Sequence, residues 1–455
     1  MDEEETVRPF PRDGIPTSVS VSRRNQDAVI VGAGMAGLAC AVTLARAGLQ
    51  PLLLEADDEV GGRVRTDRHP EGFLLDRGFQ VLLTGYPTLR EVADLEALEL
   101  RRFYPGAMVR VGGGFLRLSD PLRRPLAALE TAFAPLGTMR DKWKVVELAL
   151  AARRGTVDDL FVVPELPTEK FLKQAGLHAR LRHHFLYPFL RGVTLDPSLE
   201  TSSRFFSFVW RMFSSGAVAV PAFGIGELPR QLASRMPAGA VRLRTRVREV
   251  APDHVVTEAG ERFDADAVVV ATEGDTAARW LSGVATPSWH GVTTVSFAAE
   301  EPPVRGPYLI LNGEVGAAVV NQVAVMSEVS PRYAPAGLAL ITASIVGLPA
   351  ADDVELVAQV RDELGAWFGP GVRGWRLLDV RRIEKALPRY APPTAPTPTR
   401  PSRLSSGIYV CGDHRATPSL EGALRAGVEA AHAVIAQRRQ PSGSATLPER
   451  PSRGV

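Results

Sequence analysis

The sequence predicts a mixed α/β chain, α+β overall, in which a parallel sheet buried on both faces carries an inserted domain of mixed sheet and helices. Three observations predict it. A strand, a glycine turn, a helix, a second strand and an acid follow one another between residues 28 and 55. Two further buried-type runs return far downstream, at residues 266–272 and 408–411, and the long stretches between carry no such pattern.

Taken in order, Ala28–Val31 is short, apolar and rich in β-branched residues, as a strand covered on both sides should be. Gly32 permits a sharp turn, Gly34 lets the backbone approach a pyrophosphate, and Gly37 lets the next helix pack tightly on the strand. Residues 35–47 are nearly all good helix formers, and Gly48 stands where a helix stop belongs. That helix begins at the ligand. Its unpaired N–H groups and positive dipole end favour phosphate, and Ala33, Met35 and Ala36 join the ligand-binding set. Pro51–Leu54 delivers Glu55 about 20 residues beyond the glycines, where a carboxylate takes ribose hydrogen bonds, with Ala56 beside it. This order specifies a dinucleotide and leaves open whether it is NAD or FAD.

The chain continues through residues 56–66 as Ala-Asp-Asp-Glu-Val-Gly-Gly-Arg-Val-Arg-Thr, where Gly61 and Gly62 allow close passage and Arg63 offers a planar fork to phosphates. This segment resembles the glycine-glycine-arginine signature of the flavoproteins that include amine oxidases, protoporphyrinogen oxidase and phytoene desaturases. The resemblance implies a Rossmann-like FAD-binding domain of the GR2 flavoprotein type, with FAD as cofactor. Residues 72–87, Gly-Phe-Leu-Leu-Asp-Arg-Gly-Phe-Gln-Val-Leu-Leu-Thr-Gly-Tyr-Pro, match next; strands are expected at 65–68 and 73–76, and the resemblance sets Gly78 near the flavin. Residues 220–233 and 241–250 give a third match, the second of them alternating as one strand, and Val247 is implied to meet the adenine end through its backbone. Residues 408–431 read as a strand, a Gly-Asp turn, a loop and a long helix opening near Ser419. There the resemblance assigns Gly412 and Asp413 to the ribityl or pyrophosphate part of FAD, and Leu420 to Ala423 to the flavin's pyrimidine edge.

Within the family, residues 76–80 with the downstream Tyr86-Pro87, residues 383–390, and Gly412-Asp413 in place of Gly-Glu resemble the phytoene-desaturase and protoporphyrinogen-oxidase side more than the monoamine oxidases. No cysteine stands where covalent flavin attachment would place one, so the resemblance implies noncovalent FAD. Cys40 and Cys411 are expected to be small core residues, and no spacing suggests a metal site.

The motifs divide the chain into a discontinuous FAD domain, 26–90, 220–285 and 375–438, and a substrate domain, 91–219 and 286–374. A flexible arm at 1–25 and a flexible tail at 439–455 complete it. A net charge of +2 with no basic run interleaved with aromatics excludes a nucleic-acid role. No leader peptide is expected at the N-terminus, and the reading is cytoplasmic, with peripheral membrane contact as its variant. Helices are expected at 139–152 and 168–190. The aromatics at 185–189 and 205–213 are expected to fill a core, the alternatives being the wall of an apolar cavity or a membrane-facing surface.

The function expected is oxidation of a small hydrophobic substrate by hydride transfer to flavin N5, with oxygen or a quinone as electron acceptor. The alternatives are a carotenoid or polyene desaturase or isomerase, and a non-enzymatic binder resembling the Rab escort and GDP-dissociation-inhibitor proteins. No catalytic acid or base is assigned. Lys385 is expected in a loop, and Glu421 in a first helical turn where it serves the dipole.

Overall fold

The computed structural model describes residues 26–120, 123–124, 126, 134–316 and 318–439. The expected N-terminal arm, and the tail beyond Arg439, lie outside the described residues.

Ala28–Val31 runs down the middle of a five-stranded parallel sheet. Pro51–Leu54 and Val268–Val270 flank it, and Val241–Arg242 and Tyr409–Val410 form the edges. The strands alternate between two cores. Ala28, Ile30, Leu53, Val269 and Tyr409 pack into one, and Val29, Val31, Leu52, Leu54, Val268, Val270 and Val410 into the other. This two-sided burial explains the unbroken apolar runs read in the sequence.

On the first face, Met35–Arg46 packs against the C-terminal helix Leu420–Arg439. The approach is close enough that a Cβ on Gly427 would lie 2.1 Å from the carbonyl oxygen of Ala36. The opposite face is covered by an antiparallel trio, Val247–Val250, His254–Thr257 and Arg262–Asp264, together with the helix Gly274–Trp280.

The second domain is built on a seven-stranded mixed sheet. Its order is Arg376–Pro388, Trp289–Ala299, Ala339–Val346, Gln322–Val325, Leu309–Asn312, Gly106–Val111 and Gly114–Ser119. All neighbours are antiparallel except Leu309–Asn312 with Gly106–Val111. Asp353–Phe368 closes one face with Leu356, Val360 and Leu364, and a helical layer that includes Tyr187–Thr194 and Ser203–Ser215 packs at the other end. The mixed α/β architecture expected from the sequence is the one observed.

Three local expectations are corrected. Arg376–Pro388, which begins the third expected piece of the FAD domain, pairs along Trp289–Ala299 and so joins the second domain's sheet. Lys385 therefore sits in a strand and not in a loop. The single strand expected at 241–250 is two strands in different sheets, broken where Arg244 takes φ +51° and its N–H donates to the Asp57 carbonyl at 2.8 Å. The helix expected at 168–190 divides into Thr168–Gln174, Ala179–Leu181, a π-turn at Arg182–Leu186 and Tyr187–Thr194; Gly176, at φ +69°, separates the first two. Among the described residues no helix is long and apolar enough to cross a membrane.

Candidate functional site

The glycine turn shows why each glycine stands where it does. Gly32 takes φ +104°, and its N–H donates to Leu54 O at 2.8 Å, so the turn closes onto the neighbouring strand. A Cβ on Gly37 would lie 1.9 Å from Gly32 O, which makes Gly37 the closure between helix and turn. Gly34 differs: a Cβ there would meet nothing within 4 Å of protein and would instead project into a cavity. No side chain caps the helix that begins at Met35, so its first N–H groups are presented to that space.

The second glycine pair is strapped to the first turn. Gly61 donates its N–H to Ala33 O at 2.8 Å, and a Cβ on Gly62 would sit 3.4 Å from the Gly34 Cα. Glu55 is oriented by two backbone donors, Ala33 N–H at 2.6 Å and Asp57 N–H at 3.0 Å. Arg63 donates from Nη2 to Asp413 Oδ1 at 2.7 Å and from Nη1 to Ala386 O at 2.9 Å, and its guanidinium lies 5.4 Å over the Trp289 ring. Behind it, Trp289 Nε1 donates to Asp275, which pairs with Lys385. Gln80 donates to the carbonyls of both Arg63 and Arg77 at 2.7 Å and fixes the loop that carries Gly78. Ser419 Oγ accepts the Gly422 N–H at 3.0 Å and caps the helix that begins at Leu420.

These groups surround one cavity of about 1960 Å³. That exceeds the roughly 300–1,000 Å³ of an ordinary ligand pocket, leaving room for a dinucleotide and a second molecule. Gly32, Gly34, Met35, Ala36, Glu55, Ala56, Gly62, Arg63, Gly78, Val247, Gly412, Asp413, Leu420 and Ala423 all line it. Ala33 and Gly37 do not. Ala33 is fully buried and holds Glu55, while Gly37 serves the packing role its spacing suggested. The donor set suits an anionic dinucleotide: a helix N-terminus, close-approach glycines, an arginine and a ribose-directed carboxylate.

One part of the same cavity, an aromatic chamber, is walled by Phe185, Phe189, Trp210 and Phe213, whose rings pack on one another. The aromatic segments therefore divide. Phe205, Phe206 and Phe208 fill cores as expected, while these four face the cavity. Asp120, Arg123, Arg124 and Lys142 also line it.

Neither Lys385 nor Glu421 lines the cavity. Lys385 is held above its ordinary range by the Asp275 hydrogen bond, the wrong direction for a base at neutral pH. Glu421 is buried and accepts from Thr88 N–H at 2.9 Å, Thr88 Oγ1 at 2.6 Å and Leu89 N–H at 3.2 Å, so it caps the helix Pro87–Val92. Burial raises its carboxyl despite these donors. His414, beside Asp413, is pushed down to about 4 by burial and is neutral at neutral pH. Cys40 and Cys411 are buried free thiols, and among the described residues no group of side chains could hold a metal ion. The Trp289–Asp275–Lys385 support behind Arg63 had no sequence signal, because it joins residues distant in the chain.

Comparisons with known proteins agree with this geometry. An L-amino acid oxidase of Crotalus durissus cumanensis is 42% identical over 86 residues, 19% of this chain and 17% of that protein, so most of that relative's length lies outside the match. The solved structure of cyclohexylamine oxidase from Brevibacterium oxydans is similar with a TM-score of 0.67 and 19% identity, over 91% of this chain and 100% of that one. A reduced UDP-galactopyranose mutase gives 0.65 and 16%, over 91% of this chain and 96% of that one. Relatives this distant share the fold, and the fold does not select a substrate. The family model for flavin-containing amine oxidoreductases matches residues 35–435. With the flavin-type cavity in place across that span, the chain belongs to the flavin-containing amine oxidoreductase family.

Proposed function

We propose that the chain is an FAD-dependent oxidoreductase that oxidises a hydrophobic organic substrate, with FAD held noncovalently and reoxidised by oxygen or a quinone. One observation carries this reading: the Gly32 turn, Glu55, Gly78 and the aromatic chamber all line a single cavity. Bound FAD would supply a hydride acceptor at flavin N5. The chain's own residues bind and orient. The N-terminus of Met35–Arg46 and the backbone at Gly34 take the pyrophosphate, Glu55 the ribose, and Arg63, held by Asp413, the phosphate edge. Leu420 and Ala423, on a helix start, favour negative charge on the pyrimidine edge. The aromatic walls exclude water and orient the substrate, which is what hydride transfer requires of a protein.

The side of Gly78 on which a Cβ would project is aliphatic, with Ile383 Cδ1 at 3.0 Å and Val292 Cγ1 at 3.8 Å from such an atom. Recognition of an amine between aromatic faces is not favoured by such a wall. It favours, as second reading, a polyene desaturase or isomerase on the phytoene-desaturase side of the family. The non-enzymatic binder is set aside, because the family is one of enzymes.

The absorbance spectrum of the purified protein tests the proposal, followed by acid release of the flavin and anaerobic bleaching with porphyrinogens, carotenoids and amines. Released FAD and bleaching by an apolar substrate are expected. A colourless protein that takes up no FAD, or bleaching by amines alone, would overturn it.

A further inference from the structure

Where the second domain's sheet lines the cavity, Val292, Leu309 and Ile383 are aliphatic, and Gln322 and Ser344 interrupt them. These two stand opposite each other on neighbouring strands. Gln322 is 4% exposed and Ser344 3%, so bulk water scarcely reaches either. The residues paired with them on their outer sides, Thr294 and Leu311, are uncharged.

One end of the Gln322 carboxamide is already occupied. Asn321 Nδ2 donates to Pro188 O at 3.0 Å and to Gln322 Oε1 at 3.5 Å. The helix Tyr187–Thr194 presses on the same oxygen, since a Cβ on Gly192 would lie 2.1 Å from it. Phe189 of the chamber wall stands about one turn earlier on that helix, so the carboxamide sits beside the chamber. Gln322 Nε2 and Ser344 Oγ, by contrast, have no hydrogen-bond partner among the described residues. A ligand that offers them no oxygen leaves both unpaired.

We propose that Gln322 and Ser344 select the substrate, an apolar body carrying a neutral oxygen, hydroxyl or carbonyl, that accepts from Gln322 Nε2 and pairs with the Ser344 hydroxyl. A plain hydrocarbon displaces water from both groups and returns nothing, which is how a hydrogen-bonding site rejects an isostere lacking the polar atom. A carboxylate or an ammonium would bring an unmatched charge to an uncharged pair. Val292, whose Cγ1 lies 3.8 Å from where Gly78 would carry a Cβ, is two residues from Thr294 on its strand. At about 3.4 Å per residue and about 4.8 Å between strands, Ser344 and Gln322 stand about 8 and about 12 Å from it. The oxygen is thus held about 10 Å from the carbon oxidised at the flavin. That spacing, and the role of the bound molecule as substrate, rest on the proposed function, whereas the preference for an oxygen does not.

Titration calorimetry of the full-length, flavin-loaded protein with four ligands of one body tests it: biphenyl, 4-hydroxybiphenyl, biphenyl-4-carboxylate and biphenyl-4-methylamine. The hydroxyl member is expected to bind about tenfold more tightly than biphenyl and than either charged member. Gln322→Leu with Ser344→Ala should remove that preference and leave biphenyl binding within about threefold of wild type. Ser344→Ala alone, which deletes one oxygen, should remove part of it and keeps the test open if the double variant does not fold. The melting temperature of each variant verifies the fold. Equal binding of biphenyl and 4-hydroxybiphenyl, preference for a charged member, or a preference that survives both substitutions would overturn the proposal, as would binding of none of the four. Flavin content measured on the same samples separates the two readings. A flavin-loaded protein without the preference fails here alone, and a protein that takes up no FAD overturns the proposed function as well.

Discussion

Arg63 and Asp413 are joined at 2.7 Å across 350 positions of sequence, and the pair ties the second glycine motif to the last strand of the parallel sheet. Asp413 is 6% exposed in its side chain and Arg63 31%, so the carboxylate is fixed while the guanidinium is partly open to the cavity it lines. The pair fixes the direction of the arginine fork to which the proposed function gives the phosphate edge.

Asp413→Ala should therefore lower flavin affinity by at least about tenfold and cost the apo-protein about 1–3 kcal/mol, because a charged donor loses its buried partner. Flavin titration and thermal unfolding of the apo-protein read the two effects. Unchanged affinity would remove the pair from the cofactor site.

Gly34 and Gly37 should separate in the same assays. A Cβ on Gly34 meets no protein atom, so Gly34→Ala should keep the apo-protein's melting temperature and lose flavin. A Cβ on Gly37 lies 1.9 Å from Gly32 O, so Gly37→Ala should lower stability and flavin content together.

Asp76 gives stability a pH signature. Its carboxyl accepts from Thr66 Oγ1 at 2.6 Å, Tyr333 Oη at 2.7 Å and the Ile225 N–H at 3.1 Å, yet burial raises its pKa from 3.8 to about 6. Between those values the folded chain keeps a proton that the unfolded chain has released. This group's contribution is therefore most favourable below about pH 4 and is lost as pH rises through about 6. The stability difference between wild type and Asp76→Asn should shift against the wild type by up to about 3 kcal/mol from about pH 4 to about pH 7. A difference that does not change with pH would contradict the assignment.

The aromatics should divide by mutation as they do in space. Phe208 is 2% exposed and stacks on Tyr86, so Phe208→Ala should cost about 3–5 kcal/mol in urea unfolding. Phe213 meets Phe189 edge-on at 5.0 Å along the chamber wall, so Phe213→Ala should cost less and raise KM more than it lowers kcat.

Glu421→Gln should lower the melting temperature, because one amide oxygen cannot satisfy the three donors of Thr88 and Leu89. Its kcat should change by less than about threefold, in keeping with a cap outside the cavity.

What the sequence made legible was local. The φ +104° at Gly32, the uncapped helix at Met35 and the two-sided burial of Ala28–Val31 each follow from a few neighbouring residues. Arg376–Pro388 was harder, because nine of its thirteen residues are half-buried and no clean alternation marks the strand, which hid Lys385 within it. Alternation misled at residues 241–250, where the break depends on Asp57 accepting from a residue far along the chain. Glu421 looked like a dipole residue because its real partners, Thr88 and Leu89, lie more than 330 positions away. The division of residues 205–213 between core and chamber is set by which face of Ser203–Ser215 meets the cavity, and a run of aromatics carries no such direction.

The edge strand Tyr409–Val410 and the helix Leu420–Arg439 also set a timetable for synthesis. A ribosome delivers Gly32 to Arg63 more than 340 residues before the strand and helix that finish the same sheet and pack on Met35–Arg46. A nascent chain halted before residue 409 has a turn, an acid and an arginine fork with nothing opposite them. A flavin site built from all these pieces therefore stays incomplete until Leu420–Arg439 has been made, and a partly made chain must keep the apolar faces of Met35–Arg46 and its sheet from aggregating until that helix arrives.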